Sequence, residues 1–70
     1  MKIKKIVSGI YQVINSNLFI ITNHNYWELR VGIDYLNNEW IESFKTKKDA
    51  LSWIKYYRTF LESNGVKFYK

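Results

Sequence analysis

The sequence predicts an α+β fold: an antiparallel β-meander of about four strands with one C-terminal α-helix packed on one face. Three observations carry that expectation. Four runs rich in β-branched and aromatic residues, at 10–14, 18–22, 26–33 and 39–44, are separated by short polar turns. In the third run, "YWELRVGI", Trp27, Leu29, Val31 and Ile33 alternate with Tyr26, Glu28, Arg30 and Gly32, the period of a half-buried strand. From Lys47 the apolar spacing lengthens to that of a helix, over 47–63.

Taken in order, "IYQVI" and "LFIIT" flank the turn signal "NSN", and "NHN" leads into the third run. Connections this short make successive strands antiparallel neighbours. The next turn is "DYLNN". If it spans 34–38, Arg30 lies opposite Glu42 as a cross-strand ion pair, with Ile41 inward and Trp40 outward. A tight turn at "NN" alone would swap the faces and aim Glu42 at the helix with no partner, which is costly. The longer loop is therefore expected.

Thr46 fits a helix N-cap, its hydroxyl accepting from the amide of Asp49, whose carboxylate offsets the positive helix end. Ala50, Ile54, Tyr57 and Leu61 form the face against the sheet, Trp53, Tyr56 and Phe60 a neighbouring ridge, and Lys48, Ser52, Lys55, Thr59 and Glu62 the wet face. "SNG" stops the helix, with Gly65 suited to the left-handed position and Val66 to the apolar contact beyond it. The tail "VKFYK" fits either a short edge strand or a cover over the sheet.

Seventy residues make one domain, 1–70, near the lower size limit for an unassisted core. With no cysteine, neither disulfides nor thiolate-bound metal can help. Bulk comes from three Trp, six Tyr and four Phe, and such rings bury about 150–250 Å² each. Eleven Lys and Arg against six Asp and Glu give a net charge of +5, which favours acidic partners. The basic start "MKIKKIV" is not followed by an apolar signal core, and "LFII" is too short to span a bilayer. A soluble, cytoplasmic protein is expected, with no membrane partner.

One helix covers one face of the sheet. The other is expected to carry Tyr26, Trp40 and part of "LFII" among Glu28, Arg30 and Glu42. The first seven residues, the C-terminal tail or a second copy in a homodimer would cover it; otherwise it is a docking surface.

The segment "YWELRVGID…EWIESFKTKKDALSW" resembles the sheet-and-helix DNA-binding fold of plant AP2 domains and of phage or transposon integrase N-terminal domains. The likeness covers 26–60 and is carried by Trp40, Phe44, Thr46 and Ala50. It implies major-groove reading by basic residues of the outer sheet face. Position by position, Arg30 and Trp40 suit that role, while Glu28 and Glu42 beside them repel phosphate. The layout "G-x-Y-x-V", then "W", then "F-x-T-K-K-x-A" also looks like that of small orphan proteins of phages and mobile elements.

The sequence offers little for catalysis. His24 falls in a polar turn, no serine has a nucleophile-elbow context, and three scattered glycines make no phosphate loop. No catalytic, cofactor-binding or metal-binding residue is expected, and no cofactor. Two functional expectations remain. One is a non-catalytic module of phage type that docks through Tyr26, Glu28, Arg30, Trp40 and Glu42. Like small anti-defence inhibitors, it would block a host protein or nucleoprotein complex. The other is direct DNA or RNA binding through Lys45, Lys47 and Lys48, with Arg30 and Trp40, the lysine pair being placed to meet phosphate at the helix N-terminus.

Overall fold

The β-rich part of the chain forms five strands rather than four in the computed structural model, which describes residues 2–69. The strands β1 (Ile3–Val7), β2 (Ile10–Val13), β3 (Leu18–Asn23), β4 (Tyr26–Gly32) and β5 (Asn38–Phe44) form one antiparallel sheet in sequence order. Two short helices follow, α1 (Lys47–Tyr56) and α2 (Arg58–Ser63). The architecture is α+β, as the sequence predicts.

The extra strand comes from the basic start. "IKKIV" places Ile3 opposite Val13 and Lys4 opposite Gln12, with a register shift between Lys5 and Val7. The first seven residues therefore widen the sheet at its edge instead of folding across it. Gly9 makes the tight reversal into β2, with φ +79°. Asn15 and His24 take the left-handed positions of the next two turns, at φ 61° and 57°, a conformation that Asn and His tolerate better than most residues.

The core lies between the sheet and the helices. Val13, Leu18, Ile20 and Leu29 from the sheet meet Ala50, Ile54 and Leu61 from the helices and Val66 from the tail, all fully buried or nearly so. Ile20 lies opposite both Tyr11 and Leu29, so these three define the helix-facing side. Thr46 caps α1 as expected, its Oγ1 accepting from Asp49 N at 3.1 Å.

One continuous helix over 47–63 is not what forms. The chain breaks at Tyr57 (φ −112°, ψ 30°), between α1 and α2. The stretch "YYRTF" combines aromatic and β-branched residues that lose rotamer freedom in a helix. The expected core contact of Tyr57 is lost with the break. Tyr57 is half exposed and stacks on Trp53 at 4.8 Å, while Leu61 reaches the core.

Gly65, at φ +93°, ends α2, and Val66 N donates to Leu61 O at 3.1 Å, the six-to-one bond of a Schellman motif. The tail then packs against the 14–17 turn, with Phe68 bridged to Ser16. Asn17 clamps it, donating through Nδ2 to Gly65 O and accepting at Oδ1 from Lys67 N. Ser16 beneath is buried and doubly bonded, donating to Val13 O at 2.7 Å and accepting from Leu18 N at 3.1 Å. Thus the tail closes one end of the core and does not cover the outer face.

Candidate functional site

The outer face is built by alternation along β3 and β4. Since Ile20 and Leu29 point to the helices, Phe19, Ile21, Asn23, Tyr26, Glu28 and Arg30 point away. Gln12, Phe19, Arg30 and Trp40 lie side by side across four strands. Ile21, Glu28 and Ser43 form the next row.

Arg30 does not pair with Glu42. The turn pairs Gly32 with Asn38 and hence Arg30 with Trp40, and an extra residue in β5, Ile41, then puts Glu42 opposite Leu29. The bulge lets Ile41 pack against the core and puts Ser43, in place of Glu42, opposite Glu28. Arg30 finds its anion on its own strand instead. Nη2 and Nε both lie 2.8 Å from Glu28 Oε1, and Nη1 donates to Asn38 Oδ1 at 3.3 Å.

Asn23 Nδ2 donates to the other Glu28 oxygen at 3.2 Å. That amide and the Arg30 guanidinium hold the Glu28 carboxyl below the ordinary glutamate range, with burial opposing them.

The bulge has a second effect. Residues three apart on a regular strand face opposite sides, yet here Trp40 and Ser43 share the outer face. The indole Nε1 donates to Ser43 Oγ at 2.9 Å, so Trp40 has its polar atom satisfied and its ring 54% exposed. Tyr26, at the far end of β4, is 56% exposed.

Phe19 points outward but is only 2% exposed. Ile33 and Tyr35 line a shallow depression with it, so the 33–37 loop borders this part of the face. Asp34 holds that loop: its Oδ1 accepts from Leu36 N and Asn37 N, both at 2.8 Å. Those amides lower the Asp34 pKa.

Four of the five expected docking residues thus share one face, Tyr26, Glu28, Arg30 and Trp40, and Glu42 does not join them. The expected nucleic-acid set is split. Lys47 Nζ lies 4.4 Å from the Tyr11 ring centre and 5.8 Å from that of Trp27, on the helix side of the sheet. Lys48 lines a groove beside α1, and Arg30 and Trp40 are on the opposite face. That groove also gathers Lys2, Lys55 and Arg58. The sequence suggested Lys48 as a phosphate contact beside Lys47 and placed Lys55 on the wet helix face; the seven-residue spacing of Lys48 and Lys55 was the available signal for the groove.

Among the described residues no group of His, Cys, Asp and Glu is placed to hold a metal ion, and no helix is long and apolar enough to cross a membrane. Comparison with protein-family models, curated proteins and solved structures gives no match. The likeness to DNA-binding sheet domains therefore rests on its four residues alone.

Proposed function

We propose that this chain is a non-catalytic binding module that docks on a protein through the outer face of β4 and β5. In this reading it works inside a host cell as small phage and mobile-element inhibitors do, by occluding a host protein or nucleoprotein complex. The observation that carries it is Trp40, a half-exposed ring whose indole N–H is already bonded to Ser43. A partner covering it gains apolar contact without stranding a polar group. Beside it, the Glu28–Arg30 pair is formed before any partner arrives, which lowers the ordering cost of binding.

The same pairing argues against base reading by this face. Arg30 would have to leave Glu28, and the released carboxylate would face the phosphates.

The test is capture of partners from host lysate by the tagged full-length chain, with and without nuclease. Trp40→Ala is expected to abolish nuclease-resistant capture while circular dichroism and the melting midpoint stay close to wild type. Undiminished capture by a folded Trp40→Ala chain discards this reading. Capture that vanishes with nuclease and falls steeply with salt assigns the protein to direct nucleic-acid binding instead.

A further inference from the structure

A groove of about 620 Å³ runs between α1, the end of β2 and the C-terminal tail, on a different side of the molecule from Trp40. Lys2, Lys48, Lys55 and Arg58 line it, and among the described residues no carboxylate does. Its accessible floor is apolar, built from Ile14, Leu51 and Phe68, over the buried Val13 and Ile54. Lys2, Lys48 and Lys55 have no ion pair among the described residues. Arg58 is partly engaged, with Glu62 at 3.4 Å and its guanidinium 4.2 Å over the Phe68 ring.

Of the six acidic residues, Glu28 lies on β4, Asp34 in the following loop and Glu39 and Glu42 on β5, while Asp49 on α1 and Glu62 on α2 belong to the helices without lining the groove. Lys2, just before β1, and Lys48 and Lys55 of α1 are brought around one groove from distant parts of the chain. The cationic lining favours an anionic partner in the groove.

We propose that the groove is a second binding site, for an acidic peptide segment that also carries apolar side chains. Carboxylates of the segment would meet the lysines on the rim, and its apolar side chains would fill the floor. The volume lies in the range of ligand pockets, roughly 300–1,000 Å³, and holds a few side chains. A nucleic-acid strand fits less well, because single-strand sites pair a cationic track with free aromatic faces. Of the two rings lining this groove, Phe68 has one face occupied by Arg58, which leaves Tyr69.

The site is independent of the outer face, and so is its test. The isotope-labelled full-length chain is titrated with a synthetic peptide alternating Glu and Leu, and separately with an all-Glu peptide and an oligothymidylate. The Glu–Leu peptide is expected to bind saturably and to shift the amides of Leu51, Lys55 and Phe68. The double variant Lys48→Glu/Lys55→Glu, altered only at exposed helix positions, is expected to bind at least tenfold more weakly with an unchanged helical spectrum. Trp40→Ala is expected to bind as wild type.

Absence of shifts at these amides overturns the proposal, as does equal affinity for the all-Glu peptide, which would make the site a charge patch. Tighter binding of the oligothymidylate at the same amides overturns it in favour of nucleic acid.

Discussion

Glu28 shows how much of the outer face depends on single hydrogen bonds. Its carboxyl is held low by the Asn23 amide and by Arg30. A carboxyl with a depressed pKa in the folded chain stabilises it above the ordinary value, and that contribution is lost as pH falls through the lowered one. The NMR titration midpoint of Glu28 is expected below that of an ordinary glutamate. In Asn23→Ala it should rise toward the ordinary value; an unmoved midpoint would show that the amide bond is unimportant. The sequence identified Arg30 as an ion-pair residue but assigned it the wrong partner. Alternation along β4 placed Glu28 and Arg30 on one face, and nothing in the residue pattern announced the bulge that carries Glu42 away.

Among the elements, the 33–37 loop depends most on one residue. A Cβ on Gly32 would sit on the Asn37 carbonyl and 2.5 Å from Asn38 Cα. The close approach is to backbone, so no side-chain rotation relieves it. Gly32→Ala is expected to force the loop open and destabilise the fold by about 1–3 kcal/mol. Hydrogen exchange at Leu36 and Asn37, whose amides Asp34 holds, should then accelerate strongly; protection equal to wild type would refute this account. The helix offers the complementary lesson. Its Thr46 cap and Gly65 stop were legible because both are local backbone chemistry. The break at Tyr57 was not, because helical spacing marks a face and says little about where a run of crowded rings interrupts it.

At the scale of the whole molecule, a small sheet with two short helices has its core closed by its own tail. Val66 is 2% exposed, Phe68 packs on the core, and Asn17 holds the segment from both sides. Ending the chain after Gly65 removes both apolar side chains, a loss of about 3–5 kcal/mol at roughly 1.5–3 kcal/mol per buried side chain. For a domain of this size each kcal/mol shifts the melting midpoint by about 4–8 °C. The truncated chain is expected to melt at least ~10 °C lower; an unchanged midpoint would show that the tail is dispensable. The tail seals that end while leaving Trp40 and Tyr26 open.

Strand periodicity, turn chemistry and the caps of the helical segment are properties of neighbouring residues, and these the amino-acid order determined on its own. It also determined that the chain holds more aromatic surface than one helix shelters. Which surface stays open was decided in three dimensions. The turn after β4 and one inserted residue in β5 set the register, and residues far apart in sequence brought four cations around one groove. Register and burial depend on partners distant along the chain, and a linear pattern carries no distance between them.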